Sequence, residues 1–197
     1  MRTFNPFVRS LLLSIGCTVA VLAGLSCSSN MGPTQFTNPN IDFSFIQRVA
    51  VLPFENLSSD QQAGLRATRL TITELLASGS VDVVEPGEVE GALASLGGSR
   101  TKPNKEEILS LGSTLEVQAI IIGSVAQSEV LRSGAVGIPV VTLDAQMIET
   151  ETGAIIWAAT HTEKGKGFSA RVLGTGGQPI SETTRLCVQQ LLATLLE

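Results

Sequence analysis

The stretch RVAVLPF at positions 48–54, followed at once by Glu55, Asn56, Leu57 and Ser58, narrows the folds open to this chain more than any other. Val49, Ala50, Val51 and Leu52 are apolar in succession, and two of them are β-branched. A short continuous apolar run closed by turn residues reads as a strand buried on both faces, the central strand of an α/β sheet. Pro53 donates no ladder hydrogen bond, so pairing is expected to finish there.

The rest of the domain reads as layers added to that strand. Ser59 or Asp60 caps a helix to about Ala77, with Leu65, Ile72, Leu75 and Leu76 inward and Arg66, Arg69 and Glu74 mostly outward. A short strand at 81–84 and a turn at 85–87 lead to a helix at 88–96, closed by Gly97 and Gly98. Pro103 and Asn104 open a third helix, with Glu106 and Glu107 where the dipole favours acids and Ile108, Leu111 and Leu115 as its inner stripe. The period then changes. Residues 118–125 form a buried strand in which Gly123 marks a bulge or a close approach. A long alternating strand at 137–149 turns at 150–153 and returns antiparallel over 154–162. A glycine-rich irregular stretch covers 164–179. Ser181 caps a last amphipathic helix to Leu196, with Glu182 in its first turn and Cys187, Val188, Leu191, Leu192 and Leu195 on its apolar side. The order β-α-β-α-α-β-β-β-α is that of a single α/β domain, a mixed sheet of four or five strands with helices packed on it. Ahead of it, residues 41–45 read as either an edge strand or a packed lead-in.

The first residues follow other rules. Arg2 and Arg9 precede a run of apolar and small residues at 10–25, too short for a spanning helix, which is the layout of a secretory signal. The junction Leu22-Ala23-Gly24-Leu25-Ser26-Cys27 resembles a bacterial lipobox, whose cysteine is acylated and becomes the new N-terminus. Ser28 after it implies, by the same resemblance, sorting to the outer membrane, with palmitate-type acyl chains as the anchor. Residues 1–26 are thus expected to be a lipoprotein signal peptide, 27–40 the lipidated Cys27 and a flexible tether, and 41–197 the α/β domain. Thirteen tether residues reach at most about 45 Å, and about 20 Å on average as a coil, so the domain must stay close to the membrane.

Once Arg2 and Arg9 leave with the signal, 11 basic residues face 18 acidic ones, a net charge of −7. With no Lys/Arg cluster, nucleic acid is not an expected partner. No later apolar stretch reaches 18 residues. The three cysteines are Cys17, Cys27 and Cys187, so with Cys27 acylated no intramolecular disulfide is expected, and Cys187 reads as a buried inert thiol.

Catalytic chemistry has little to build on. The chain has one histidine, His161, expected at a solvated strand end, and no second mature thiol for a Cys/His pair or metal set, so no metal or other cofactor is expected. Gly174, Gly176 and Gly177 lack the strand before them and the Gly-Lys-Ser/Thr signature of a phosphate loop. The acid pairs Glu88/Glu90 and Glu149/Glu151 lie on a helix surface and at a strand turn. Glu55 and Asn56 stand out because they follow the carboxyl end of the central strand, where α/β sheets place ligands, and they are the candidate ligand or partner mouth. Asn56 reads first as a turn residue that bonds its own backbone.

Taken together, RVAVLPF with Glu55 and Asn56, VDVVE at 81–85, EVQAIIIGS at 116–124, and QMIETETGA at 146–154 leading to Trp157 resemble the CsgG/LpoB-like superfamily of curli-secretion and related periplasmic lipoproteins. The resemblance spans residues 46–197. It implies a non-enzymatic domain that binds envelope proteins or copies of itself and is held to the membrane by its lipid anchor. Two narrower readings stay open within it. A secretion-channel component needs membrane hairpins of about 9–11 residues per strand, longer than the link at 127–136. An activator of a peptidoglycan synthase needs a longer tether than 28–40. The expected role is a protein-binding or assembly module of the cell envelope.

Overall fold

Proline splits the central strand instead of ending it. In the computed structural model, which describes residues 32–97, 101–133, 136–165 and 177–196, β2 (Arg48–Val51) and β3 (Glu55–Asn56) both pair with the same edge of β5 (Ala119–Ser133). Leu52 still donates to the Ile121 carbonyl at 2.9 Å, and the Phe54 amide turns away to Thr68 Oγ1 at 2.9 Å. Pairing then resumes, Glu55 opposite Ser124 and Asn56 opposite Val125. The expectation that pairing stops at Pro53 is corrected accordingly: the proline removes one donor, and Thr68 takes up the next.

The other elements are β1 (Thr34–Thr37), a 3₁₀ turn at Phe43–Phe45, α1 (Ala63–Ser78), β4 (Asp82–Val83), α2 (Pro86–Ser95), α3 (Lys105–Leu115), β6 (Val136–Glu149), β7 (Ile155–Lys164) and α4 (Ile180–Leu196). The fold is a mixed α/β sheet of seven strands with four helices packed on it among the described residues, in the order β1-β7-β6-β5-β2-β4 with β3 beside β5. Pairs among β2, β3, β4 and β5 are parallel, and those linking β5, β6, β7 and β1 are antiparallel. Four or five strands were expected. The excess comes from the split at Pro53 and from β1, which uses residues 34–37 of the stretch whose composition reads as tether. β1 pairs with β7, Thr34 opposite Thr160 and Thr37 opposite Trp157. Residues 41–45 are the packed lead-in: Ile41 and Phe43 rest on the core.

Helices cover the two faces unequally. α1 and α4 lie on one face over Val49, Val51, Phe54, Ile121, Val125, Leu143, Met147 and Trp157. On the other face α2 and α3 cover Ala50, Leu52, Ile120 and Ile148, which is the parallel part and the adjoining end of β6. Beyond them that second face is open, a field of Ser124, Thr142, Asp144, Gln146, Thr160 and Thr162.

Local chemistry explains the helix ends. Asn104 caps α3 in a reciprocal capping box with Glu107, and Ile108, Leu111 and Leu115 are all buried as their spacing requires. Glu85 caps α2, its side chain accepting from the Glu88 amide at 3.0 Å. α1 departs from its expected face. Its buried residues are Ala63, Gly64, Ala67, Thr71 and Leu75, while Leu65 and Leu76 stand out at 50% and 56% exposure. Small residues let the helix axis approach the sheet, and a Cβ on Gly64 would lie 2.6 Å from the Phe54 carbonyl oxygen.

β5 and β6 run further than expected. The link at 127–136 is mostly strand: past a bulge between Val125 and Gln127, residues 129–133 pair with 136–140 as a ribbon. His161 is also corrected. It is 7% exposed, facing the α1/α4 side with Trp157 and Ala159, because positions 157, 159 and 161 share one face of β7. The signal, Cys27, the first tether residues (28–31) and most of the glycine-rich stretch, Gly174 and Gly176 included, lie outside the described residues. None of the helices among the described residues is long and apolar enough to cross a membrane.

Candidate functional site

Parallel pairing of β3 with β5 sets Glu55 opposite Ser124 and Asn56 opposite Val125, consecutive strand residues that project to opposite faces of the sheet. Their side chains are already engaged. Lys102 Nζ lies 2.5 Å from Glu55 Oε2, joining the loop before α3 to β3. Asn56 Oδ1 accepts from the Ser58 amide at 3.0 Å and from Ser58 Oγ at 2.8 Å, while Nδ2 donates to the Asp60 carbonyl at 2.7 Å. An asparagine whose oxygen and nitrogen both close its own loop fixes the path from β3 to α1. Beside this pair is a cavity of about 70 Å³ lined by Lys102, Ile122, Gly123, Ser124, Asp144 and Gln146. Its carboxylate is committed too: Asp144 accepts from Ser124 Oγ at 3.2 Å and from Thr160 Oγ1 at 2.6 Å.

Two other sequence candidates resolve into structure. Glu149 is buried, and its carboxylate accepts from the Glu151 amide at 2.9 Å and the Thr152 amide at 3.0 Å, closing the β6–β7 turn. It therefore caps a turn and forms no acid pair with Glu151. Cys187 Sγ sits 3.4 Å from the His161 carbonyl and 3.6 Å from that of Val141, and burial pushes its thiol up to about 12. A thiol so far above neutrality is no nucleophile. His161 Nε2 lies 3.3 Å from Glu163 Oε2 on the same strand. No cluster of three or more His, Cys, Asp or Glu able to hold a metal occurs among the described residues.

The most connected polar group is one that sequence reasoning missed. Arg66 of α1 donates from Nη2 to Asp60 Oδ2 and to Ser128 Oγ of β5 (3.2 Å), and from Nε to Thr184 Oγ1 of α4 (3.2 Å). Ser128 Oγ donates to the same Asp60 oxygen at 3.0 Å. Burial pushes the Asp60 carboxyl up, but hydrogen bonds from Arg66, the Gln62 amide and Ser128, with the Arg66 charge, outweigh it and hold the carboxyl below the ordinary carboxylate value. The folded state thus binds this proton less readily than the unfolded chain does. Its stabilising contribution is complete above about pH 4, the unfolded carboxyl's range, and is lost as pH falls through the depressed folded value. Asp60→Asn should lower stability at pH 7 by about 2 kcal/mol and flatten the acid limb, read as urea midpoints between pH 2.5 and 7. An unchanged acid limb would show that Asp60 does not carry it. Asp60 and Arg66 are close in sequence, but nothing local suggests that they meet partners 62 and 118 positions away from the arginine.

Next to this node runs a groove of about 440 Å³ between α1 and α4, lined by Leu65, Arg66, Arg69, Leu70, Glu182 and Arg185 among others. Arg185 is held by Glu182 through two hydrogen bonds of 3.0 and 2.6 Å. Arg66 is paired with Asp60 and Arg185 with Glu182, so of the groove's three arginines two are charge-compensated. None of the groups lining the groove pairs a nucleophile with a base.

No protein-family model matches the chain, and no curated protein matches it by sequence. Solved structures do. The PelC dodecamer from Paraburkholderia phytofirmans is similar with a TM-score of 0.55 and 22% identity, over 83% of this chain and 95% of that one. Lipoprotein GNA1162 from Neisseria meningitidis is similar with a TM-score of 0.54 and 15% identity, over 65% of this chain and 90% of that one. The LpoB C-terminal domain from Salmonella enterica superposes more loosely, with a TM-score of 0.47 and 17% identity over 59% of this chain and 81% of that one, and nothing is rested on it. At these identities the likeness is one of fold: the chain has the α/β fold found in PelC and in the lipoprotein GNA1162.

Proposed function

We propose that this chain is an outer-membrane-anchored periplasmic lipoprotein whose α/β domain works without catalysis, by assembling with copies of itself and binding other envelope proteins. Residues 1–26 are the signal peptide, Cys27 carries the acyl anchor, and the tether enters the domain directly as β1. The observation that carries the self-assembly is the fold shared over 95% of PelC, a protein whose solved structure is a dodecamer. The same fold in a lipoprotein, GNA1162, supports the anchor read at Cys27. The engaged side chains of Glu55, Asn56 and Asp144 support a binding role over an enzymatic one. A closed ring needs two complementary surfaces on each subunit. The sheet offers an exposed edge in β1, whose four residues all face solvent, and the groove between α1 and α4 offers a second surface. Past the bulge β5 and β6 pair seven residues per strand, short of the about 9–11 of a membrane-spanning strand, so a hairpin pore is not the reading this supports.

The test is intact and native mass of protein taken from the membrane fraction in mild detergent. A triacylated chain beginning at Cys27, lost in Cys27→Ala, and a single closed homo-oligomer are expected. An unmodified soluble chain would remove the anchor, and a monomer at working concentration would remove the assembly.

A further inference from the structure

Both the ribbon's end and the start of β1 point toward the same side of the domain. β1 is antiparallel to β7, and its first residue lies in the row Thr34–Thr160–Asp144–Ser124. Going back from Thr34 the chain therefore heads where β7 ends and where β5 and β6 leave the helix-covered sheet. From Asp144 to Val136 is about eight residues of β6, so the ribbon reaches about 27 Å past that row. From Cys27 to Thr34 is about seven residues, at most about 25 Å of chain. An anchor at Cys27 thus holds the lipid surface within the span the ribbon already crosses.

The ribbon is built for such a surface. Exposed positions of a ribbon standing in water ordinarily carry polar side chains. Here Val130 and Leu131, neighbours that project to opposite faces, are 51% and 45% exposed. Half-buried Ile138 stands opposite Leu131, the Pro139 opposite Val130 is buried, and the exposed Arg132 comes next, a cation that a lipid phosphate could meet. We propose that the end of the β5–β6 ribbon, through Val130, Leu131 and Ile138, is a second membrane contact seated in the interface of the bilayer that holds the N-terminal anchor. The lipid chains keep the domain at the membrane, and the ribbon fixes which end faces it. Every copy in an assembly would then present the α1/α4 groove and the sheet edges at the same height. The proposal rests on acylation at Cys27.

The experiment uses the full mature lipoprotein in phospholipid vesicles, with acylation verified by intact mass. A single environment-sensitive fluorophore is attached at Leu131→Cys, or at Glu151→Cys in the exposed turn at the opposite end of β6. Cys187 is buried and its thiol stays protonated, so it does not compete for the label in the native protein. The probe at 131 should move to the blue on vesicle binding and be quenched by spin-labelled lipid, while the probe at 151 does neither. Acylated, vesicle-bound protein with position 131 in water, or with 151 quenched instead, overturns the ribbon contact and leaves the anchor standing. A blue shift at 131 without vesicles that grows with protein concentration overturns it in favour of a second copy. Absence of acyl mass overturns both the anchor and this contact.

Discussion

Gly123→Ala should destabilise the domain by about 3 kcal/mol, a fall in midpoint of about 6–12 °C for a chain of this length. A Cβ at this position would lie 2.5 and 2.6 Å from ring carbons of Phe54 and 2.8 Å from the Asp144 carbonyl oxygen. Neither neighbour is free to give way. Phe54 is buried, its amide is tied to Thr68 Oγ1, and its own carbonyl presses on Gly64 of α1. Asp144 lies in the middle of β6, paired on both sides. Phe54 is therefore clamped between two glycines, one taking its ring and one its backbone, and the clamp joins the split central strand to α1 and β5. Phe54→Leu in the Gly123→Ala background should recover part of the loss. A double-mutant cycle on thermal midpoints checks this. Strict additivity of the two changes would mean that the ring is not what the new methyl meets.

That clamp also marks what the sequence disclosed. Gly123 in a buried strand announced a close approach, but its partner Phe54, far back in the chain, could be read only from the fold. The start of α3 at Asn104, its Ile108–Leu111–Leu115 stripe and the turn at 150–153 were legible, whereas the caps expected at Ser59 or Asp60 and at Ser181 were not: α1 begins after Gln62 with no side-chain cap and α4 begins at Ile180. Nor was strand β1. Its residues Thr, Gln, Phe and Thr, between Pro33 and Asn38, show no buried alternation, and their pairing comes from the free edge of β7. The polar residues of β5 beyond the bulge read as a link because a two-stranded ribbon has no buried face to impose a period. His161 was within reach, since counting by twos from Trp157 places it inward. At the candidate mouth, Glu55 and Asn56 were expected beyond the central strand and lie instead in β3, its second half. Their occupation by Lys102 and Ser58 depends on loop geometry that residue types alone do not specify. The Arg66 node joins four separate segments and left no local trace.

Trp157→Ala should lower stability by about 4 kcal/mol, a fall of about 8–16 °C in thermal midpoint. Trp157 is the only tryptophan in the chain and has no exposed surface. It fills the space between β7 and α4 among Met147, Val188, Leu191 and Leu192, and its Nε1 donates to Thr194 Oγ1 at 3.1 Å. Truncation removes the largest side chain of that layer and leaves a cavity that a seven-stranded sheet and a 17-residue helix cannot collapse to fill. Trp157→Phe keeps most of the volume and should lose only about 1 kcal/mol, because Thr194 Oγ1 retains its own donation to the Leu191 carbonyl at 2.7 Å. The loss should not be spread evenly. Trp157 is the residue opposite Thr37, so β1, an edge strand of four exposed residues, should gain the fastest amide exchange in the alanine variant, ahead of β5 and β6. Circular dichroism melts of both variants with residue-resolved hydrogen exchange read the two effects separately. If alanine melts like phenylalanine, the indole is not filling the layer; if β1 keeps its protection, the edge strand is held by something other than its ladder to β7. Since β1 is also where the N-terminal segment enters the sheet, a loosened β1 would lengthen the leash to the anchor proposed at Cys27, and the proposed fixed distance between membrane and domain would go with it.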